Sequence, residues 1–339
     1  MSSDKMKLII DTDGVVDDIR AISLALNQPN VEVLAITTTH GCVSVQQAAA
    51  NVARTLRANK KSVPIYKGAS VAILKPNPPI DESFFFGQDG LGDLPEVEPT
   101  VLPTDLTSSW VPEEAAALAL IRLTREHPDT VLACIGPITN VALAIKLDDN
   151  FVRQPKKLVI MGGNYFGVGN VNSFSSAEFN FFGDPEAASI VLSEMESPIT
   201  IVPWEAFFIH NANYEKEVNF HAHLDFGTPL AEYFKAATSI GRAELEKSGR
   251  QYGYCDEIAV ATAIAPEKTI KDKKIMRVSV ELAGKFSRGQ VVPDWIGQLW
   301  QNEECGRQPD KSRPPITFVT DYDVHYVDQL ICDMVRNSK

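Results

Sequence analysis

The chain has 339 residues, of which 44% are hydrophobic and 22% are charged, proportions that are ordinary for a soluble globular protein. Its formal net charge of −12 is not offset by any basic run, which argues against a nucleic-acid-binding or anionic-membrane-binding surface. The five cysteines are widely spaced and form no CxxC pair, a pattern typical of free thiols in a reducing compartment.

The N-terminal residues carry no targeting pattern. They read Met-Ser-Ser-Asp-Lys and lack the apolar core of a signal peptide. No apolar run in the chain is long enough to span a bilayer. We therefore expect a cytoplasmic protein that does not contact membranes.

Short apolar runs alternate with amphipathic stretches along most of the chain. The predicted strands are Leu8–Ile10, Val33–Thr38, Val131–Ile135, Leu158–Met161 and Ile199–Val202. The predicted helices are Val16–Asn27, Gln46–Ala58, Pro112–Glu126, Thr139–Lys146 and Pro185–Glu194. This order predicts an α/β fold, with an open, mostly parallel, Rossmann-like sheet flanked by helices.

Two segments interrupt the alternation. Residues 76–103 are rich in Pro, Gly and Asp, and a long loop of this kind inside a compact domain is usually functional or mobile. Residues 205–254 include a stretch with helical periodicity, Leu230–Leu245. Because no change of composition marks a linker, we predict a single domain over residues 1–339, with loop insertions near 76–103 and 205–254.

Four aspartates follow the first predicted strand within eight residues: Asp11, Asp13, Asp17 and Asp18. Carboxylates this close repel one another, and an unpaired carboxylate in a cleft costs several kcal/mol. A cation or a polyhydroxylated substrate would relieve that cost. The alternative is a solvated loop whose aspartates cap the following helix. The loop nevertheless stands at the carboxyl end of a parallel strand, where open α/β sheets bind ligands.

Other predicted strands also end in polar residues. The ends are Thr37–Cys42, Ile135–Asn140, Met161–Asn164, Val202–Glu205 and Tyr254–Asp256. The loop after residue 169 adds three amides and an acid that could bind a polyol: Asn170, Asn172, Glu178 and Asn180. Asn and Ser also form ordinary turns, which is the structural alternative for this loop. We expect these acids and amides to meet at one edge of the sheet.

Three further patterns have weaker meaning. No phosphate-binding GxxxxGK[ST] loop is present. His221 and His223 are spaced like paired metal ligands but follow no clear strand, so a metal role is not favoured. Cys255 precedes Asp256, and a neighbouring carboxylate raises the pKa of a thiol. Cys255 is therefore disfavoured as a nucleophile but could act as a proton donor.

Taken together, these residues resemble the inosine–uridine-preferring nucleoside hydrolase family. That family opens with an acidic loop of the DxDxGxDD type, which here reads Asp11-Thr-Asp13-Gly-Val-Val-Asp17-Asp18. The similarity continues in order through residues 35–38, 136–142, 159–163 and 177–188, and ends where Asp256 opens a helix. It covers essentially the whole chain.

The resemblance implies hydrolysis of the N-glycosidic bond of ribonucleosides to base and ribose, with a bound Ca²⁺ and an oxocarbenium-like transition state. It implies roles in nucleoside catabolism and purine salvage, and a homodimer or homotetramer. Carried over by position, the metal ligands are Asp13, Asp18, Asp256 and the backbone carbonyl of Ile135. The implied catalytic residues are Asp13, as the base for water, with Asn180 and Cys255. The implied substrate-binding residues are Asp17, Cys42, Phe86, Met161, Asn170, Asn172, Glu178, Asn180, Tyr252 and Tyr254.

The departures from the family pattern concern the leaving base. Cys255 and Phe86 stand where relatives often have His, and Cys42 replaces a ribose-contacting Asn. The hypothesis is that Cys255 donates the proton, with Tyr252 or Tyr254 as rivals. Phe86 and Trp204 could stack on the base, although Trp204 could equally be a core residue. Asn170 is preferred to Asn172 as the ribose ligand because it follows a glycine.

Two other functions remain open from the sequence. A haloacid-dehalogenase-type phosphatase would use Asp11 as its nucleophile with Mg²⁺, but it leaves Asp17, Asp18 and the 178–180 segment unexplained. A weakly active or non-catalytic nucleoside binder is the second alternative, because of the three departures. The sequence does not distinguish purine from pyrimidine nucleosides, or a dimer from a tetramer.

Overall fold

A central, mostly parallel sheet forms the core of the fold. The computed structural model describes residues 5–74, 81–171, 175–296 and 315–338. The strands in these ranges are β1 (Met6–Thr12), β2 (Val31–Thr38), β3 (Ile65–Lys67), β4 (Val131–Cys134), β5 (Lys157–Met161), β6 (Ile199–Val202), β7 (Ile270–Met276), β8 (Val278–Val280), β9 (Val291–Pro293) and β10 (Ile316–Tyr322). Eight of them form one sheet in the order β3-β2-β1-β4-β5-β6-β10-β7, and β8 and β9 pair separately.

Helices connect the strands. They are α1 (Val16–Leu26), α2 (Val45–Ala58), α3 (Ser83–Phe86), α4 (Asp105–Ser108), α5 (Ala116–Glu126), α6 (Thr139–Leu147), α7 (Phe179–Gly183), α8 (Pro185–Glu194), α9 (Trp204–Tyr214), α10 (Pro229–Ala237), α11 (Ser239–Glu246), α12 (Asp256–Ile264), α13 (Pro266–Thr269) and α14 (Val324–Asn337). The predicted α/β class, with an open and mostly parallel sheet flanked by helices, is confirmed.

Strand pairing gathers the carboxyl ends of the central strands. β1 lies between β2 and β4 and is parallel to both, with Asp11 opposite Thr37 on one side and Cys134 on the other. β5, β6 and β10 continue the parallel arrangement, and within this eight-stranded sheet of the described residues β7 alone is antiparallel to its neighbour. The polar residues that follow these strands are therefore delivered to the same edge of the sheet.

Both faces of the sheet are buried, because the strands carry apolar side chains on each face. Leu8 and Ile10 belong to the core on one face, and Ile9 belongs to the core on the other. Successive side chains of a strand point to opposite faces, so a continuous apolar run is what a sheet covered on both sides requires. The predicted strands have this property, which is why their sequences indicate buried strands.

The helix predicted from Pro112 begins four residues later, at Ala116. Ala115 has an extended backbone, with φ −75° and ψ 151°. The Glu114 carboxylate accepts hydrogen bonds from the Arg122 guanidinium, at 2.7 Å from Nη2, and so serves an ion pair and not the helix terminus. The prediction of a helix start at Pro112 is therefore wrong.

The segment predicted as a loop insertion near 205–254 is largely helical. It contains most of α9 and all of α10 and α11, and the predicted helical stretch Leu230–Leu245 is two helices separated at Thr238. The Thr238 hydroxyl donates to the Phe234 carbonyl at 2.7 Å. In the other predicted insertion, 76–103, the short helix α3 is followed by turns, and residues 75–80 lie outside the described ranges.

Two further observations concern expectations from composition. Among the described helices, none combines enough length with enough apolar character to cross a membrane. Cys42, Cys134, Cys255 and Cys332 are free thiols, as expected, and Cys305 lies outside the described residues.

Candidate active site

A cavity of about 290 Å³ opens at the carboxyl edge of the sheet. Its volume lies near the lower end of the range that is typical of small-molecule sites, about 300–1,000 Å³. The lining combines three groups of residues: acids of the first loop and of α12, amides around α7, and aromatic rings of α3 and α9. The expected meeting of strand ends at one edge is therefore seen in the structure.

The acidic loop contributes Asp13, Asp17 and Asp18 to the cavity lining, whereas Asp11 does not line it. Gly14 permits the tight turn between them, because it has φ +71° and a Cβ there would lie 2.8 Å from the Ala48 backbone. The loop is thus shaped by its strand, its glycine and its contact with α2.

Backbone and hydroxyl donors hold two of these acids. Asp13 Oδ2 accepts a hydrogen bond from the Cys42 amide at 2.8 Å. Asp18 accepts from the Thr12 hydroxyl and, at 3.0 Å, from the Val15 amide at the start of α1. Asp17 differs, because among the described residues its buried Oδ1 has no hydrogen-bond partner.

Asp11 lies behind the cavity and is held by two side chains. Its Oδ1 accepts from Thr37 Oγ1 at 2.5 Å and from Asn140 Nδ2 at 2.7 Å. Burial raises the pKa of Asp11 to about 6, although both hydrogen bonds oppose the shift. This position suits support of the loop and not contact with a ligand.

Asp256 completes the acidic wall. It is the first residue of α12, is 3% exposed and lines the cavity. Burial, followed by repulsion from Asp17 and Asp18, raises the pKa of Asp256 well above its usual value. Burial raises the pKa of Asp13 to about 7, with a further rise from Asp17, although the Cys42 amide opposes it. Such shifts are typical of functional sites, where several carboxylates share one poorly solvated space.

A metal ion would relieve this repulsion. One ligand atom each from Asp17, Cys255 and Asp256 lies within 4.8 Å of the others. This group overlaps the predicted metal set only at Asp256, although Asp13, Asp18 and Ile135 also line the cavity. The Ile135 carbonyl accepts from Asn180 Nδ2 at 3.2 Å and keeps a second lone pair for another contact. The unpartnered Asp17 oxygen and the carboxylate and carbonyl oxygens of the predicted set fit a hard divalent cation, whereas the Cys255 sulfur does not.

The amides predicted to bind a polyol surround α7. Glu178 caps this helix, and its carboxylate accepts from the amides of Gly163, Asn180 and Phe181 at 2.7, 2.8 and 3.1 Å. Burial raises the pKa of Glu178 to about 7, although these hydrogen bonds oppose it. The Asn180 side chain donates to the Ile135 and Met161 carbonyls, both at 3.2 Å.

All of the described residues predicted around the sugar line the cavity. Met161, Glu178 and Asn180 do so, and Asn170 joins them with its Oδ1 accepting from the Phe179 amide at 2.9 Å. Asn172 lies outside the described residues, so the preference for Asn170 stays a prediction.

Aromatic side chains occupy another part of the lining. Phe85, Phe86, Trp204 and Tyr252 all contribute, and the Phe85 and Tyr252 rings stack with centroids 5.3 Å apart. Trp204 therefore lines the cavity and also packs against the hydrophobic core. Tyr254, which was predicted to bind substrate, does not line the cavity, because its hydroxyl is directed to Asp328 at 2.6 Å.

Cys42 and Cys255, the two cysteines that depart from the family pattern, both line the cavity. Burial, followed by the charge of Asp13, raises the pKa of Cys42 well above the usual value, and burial and Asp256 do the same for Cys255. Both thiols therefore stay protonated near neutral pH.

The two histidines His221 and His223 do not line the cavity. His221 Nε2 accepts from the Tyr252 amide at 3.0 Å, and the His223 ring is fully buried against Phe234.

Sequence reasoning missed several lining residues. They are Val15, Glu82, Phe85, Phe179, Phe207, Phe208, Asn211, Leu245, Arg250, Gln251 and Gly253. The aromatic run at 204–208 was a usable signal, since aromatic residues following a strand end are candidates for base contacts. Val15 and Phe179 lie within segments that were predicted to form the site. The remaining residues come from helices and loops whose approach to the cavity depends on tertiary packing.

A comparison of the sequence with protein families decides the class of the protein. The family described as inosine-uridine preferring nucleoside hydrolase matches residues 8–329. The chain belongs to this family. It is a nucleoside hydrolase, and the phosphatase alternative, with Asp11 as nucleophile, is wrong.

Individual relatives agree with this assignment. The nucleoside hydrolase is 41% identical over 300 residues to uridine nucleosidase 1 of Arabidopsis thaliana, covering 86% of this chain and 84% of the relative. It is 31% identical over 293 residues to the inosine-uridine preferring nucleoside hydrolase of Leishmania major, covering 85% and 88%. A solved structure of an inosine-guanosine nucleoside hydrolase superposes with a TM-score of 0.81 at 30% identity, covering 97% and 98%.

Proposed function

We propose that this nucleoside hydrolase uses Ca²⁺ to cleave the N-glycosidic bond of ribonucleosides, releasing the free base and ribose. The observation that supports the proposal most is the arrangement of the cavity. Four aspartate carboxylates, from Asp13, Asp17, Asp18 and Asp256, line one space together with amides and aromatic rings. The carboxylates and amides can hydrogen-bond the hydroxyls of a sugar, and the aromatic rings can stack on a planar base.

Calcium would be held by Asp13, Asp18, Asp256 and the Ile135 carbonyl, with Asp17 close by. When bound, calcium would supply positive charge that makes a neighbouring water more acidic, and would leave positions open for sugar hydroxyls. The carboxylates and the carbonyl are the hard oxygen ligands that this ion prefers.

Asp13 is the proposed base that takes a proton from the attacking water. It lines the cavity, and its carboxylate can accept a proton from a water that the bound ion makes more acidic. Its orientation is fixed by the Cys42 amide, which donates to Oδ2 at 2.8 Å. The carboxylate therefore needs little reorganisation to accept the proton.

Asp17, Glu178, Asn180 and Asn170 are proposed to hold the ribose. Departure of the base leaves positive charge on the sugar, and the carboxylates in the cavity stabilise that charge electrostatically. Glu178 is fixed by three backbone amides, which keeps its charge directed at one place. The acids thus bind the sugar most strongly when the glycosidic bond is breaking.

The base is proposed to lie among Phe85, Phe86, Trp204 and Tyr252, with Cys255 as its proton donor. Burial and the neighbouring Asp256 raise the pKa of Cys255, so the thiol carries a proton at neutral pH. Tyr252 remains the rival donor, since it also lines the cavity.

Release of ribose from inosine and from uridine tests the proposal directly. These are the first nucleosides to try, because relatives of this chain are named for uridine and for inosine and uridine. We expect ribose release with both in the presence of calcium, and no hydrolysis of p-nitrophenyl phosphate. Nucleoside binding without ribose release would instead support the non-catalytic alternative.

Replacing Cys255 with Ala is expected to lower kcat for inosine by about 10²-fold, the lower end of what general acids contribute. Turnover of p-nitrophenyl riboside is expected to change little, because nitrophenolate leaves without a proton. Steady-state kinetics with both substrates measures the difference. Unchanged turnover of inosine would exclude the thiol as proton donor, and an equal loss with both substrates would assign it another role.

Replacing Trp204 with Leu is expected to raise KM for nucleosides about tenfold, since loss of an aromatic contact costs about 0.5–1.5 kcal/mol beyond buried area. Trp110, whose ring contacts Lys67 and does not line the cavity, provides the control. Trp110→Leu is expected to leave KM unchanged. Equal KM values for Trp204→Leu and wild type would show that Trp204 packs in the core and does not contact the base.

The setting of the enzyme is also part of the proposal. We propose a cytoplasmic homodimer or homotetramer that serves nucleoside catabolism, including purine salvage. Light scattering after size-exclusion chromatography tests the assembly, and a mass equal to one 37.2 kDa chain would contradict it.

A further inference from the structure

Arg20 and Glu257 form a buried ion pair between α1 and α12. Arg20 Nε lies 2.5 Å from Glu257 Oε1, and the two side chains are 1% and 0% exposed. Arg20 follows Asp17 by one helical turn, and Glu257 directly follows Asp256. Neither side chain lines the cavity. A buried ion pair is weak support for stability, because apolar side chains of similar size often replace it without loss.

Both partners also hold the backbone of one short segment, residues 252–255. Arg20 Nη2 donates to the Gly253 carbonyl at 3.0 Å. Glu257 Oε2 accepts from the Cys255 amide at 2.9 Å. The pair therefore fixes a carbonyl and an amide that are two residues apart, on either side of Tyr254.

The Arg20 guanidinium also contacts the ring that the segment presents to the cavity. Its Cζ lies 4.6 Å from the centre of the Tyr252 ring, within the range of a cation–π interaction. The same ring stacks on Phe85 of α3. Tyr252 is thus held between contacts from the buried pair and from the aromatic lining.

The segment connects the two halves of the site. Tyr252, Gly253 and Cys255 line the cavity, while Tyr254 is anchored outside it by Asp328. The next residue, Asp256, is part of the acidic wall. A shift of this segment would move the aromatic ring and the thiol relative to the acids of α1.

We propose that the Arg20–Glu257 pair is a positioning element that holds residues 252–255 so that Tyr252 and Cys255 face the leaving base. The inference rests on the proposed hydrolysis of ribonucleosides in this cavity. Neither partner touches the substrate. Both act through the hydrogen bonds to Gly253 and Cys255, and Arg20 acts in addition through the Tyr252 ring.

The test is the double variant Arg20→Met/Glu257→Leu, which removes both charges of the pair together. We expect it to unfold cooperatively, with kcat for uridine at least tenfold lower at saturating calcium and a smaller change in KM. Arg20→Lys keeps the charge but loses the planar pair of donors, and we expect an intermediate kcat.

The control is Arg122→Met/Glu114→Leu. Arg122 pairs with Glu114 at 2.7 Å and lies 6.0 Å from the Tyr66 ring centre, but none of these residues lines the cavity. This variant receives the same substitutions in an Arg–Glu–Tyr arrangement that is more exposed, since the Arg122 and Glu114 side chains are 38% and 23% exposed. We expect its kcat to equal that of the wild type.

A second readout does not depend on activity. Labelling of Cys255 by N-ethylmaleimide, followed at that peptide by mass spectrometry, is expected to be at least fivefold faster in the Arg20→Met/Glu257→Leu variant. A kcat within twofold of wild type, or an unchanged labelling rate, would overturn the proposal. If the double variant does not fold, the same criteria apply to Arg20→Lys. Absence of ribose release by the wild type would instead overturn the proposed function.

Discussion

Replacing Asp13 with Asn is expected to lower kcat for ribonucleoside hydrolysis by about 10²–10⁴-fold, the contribution that a general base typically makes. The amide can still accept the hydrogen bond from Cys42, which lies at 2.8 Å in the wild type, so the loop should keep its shape. It cannot accept a proton from water, and it binds calcium more weakly than a carboxylate does. The measurement is steady-state kinetics with inosine and uridine across a range of calcium concentrations.

Asp105→Asn is the control for this variant. Asp105 is 3% exposed, as is Asp13, but it pairs with Arg57 and does not line the cavity. Its loss is expected to lower stability and to leave kcat unchanged. A kcat for Asp13→Asn within threefold of wild type at saturating calcium would remove Asp13 from the role of base.

The acidic loop could be predicted because its physics is local. An apolar strand, a glycine and four acids within eight residues specify a turn at a sheet edge that gathers negative charge. The separate position of Asp11 also has a local cause, because Asp11 lies within β1 whereas the other three acids follow the end of that strand. What the sequence did not show is which donors hold each acid, since Cys42 and Asn140 approach from other elements.

The strands and helices that were missed have identifiable causes. β7 is an edge strand with five consecutive exposed residues, Lys271–Ile275, so it has no alternation to detect. β3 has three residues, which is too short for a periodic pattern. α14 is different, because Val324, Val327 and Ile331 are buried at helical spacing and could have been recognised.

Tyr252 and Tyr254 illustrate the limit for the site. They are two residues apart in an irregular segment, and both were reasonable candidates for contact with the base. The structure directs one to the cavity and the other to Asp328, which lies on α14. That choice depends on the buried Arg20–Glu257 pair and on the packing of α14, neither of which is visible as a local pattern.

Removal of calcium is expected to abolish activity, and addition of calcium is expected to restore it. Without a cation, repulsion from neighbouring carboxylates raises the pKa of Asp13, Asp18 and Asp256 in this poorly solvated space, in addition to the larger effect of burial. Burial also raises the pKa of Asp17, although the charge of Arg20 opposes that rise. Binding of calcium to the folded state should therefore also stabilise it, by about 2.7 kcal/mol at a free concentration one hundred times Kd. Magnesium should restore less, because it demands a regular octahedron and gives up its water reluctantly.

Asp256→Asn makes this expectation specific to the acidic wall. The variant keeps the start of α12 but removes one carboxylate from the cavity, and we expect its calcium Kd to rise about 10–100-fold, in line with the loss of 1.4–2.8 kcal/mol of binding energy. Isothermal titration calorimetry measures Kd, and the calcium-dependent shift in Tm provides an independent value. Asp105→Asn, which lies outside the cavity, should bind calcium as the wild type does. Full activity in the presence of a chelator, or equal restoration by magnesium, would contradict a calcium site built from these acids.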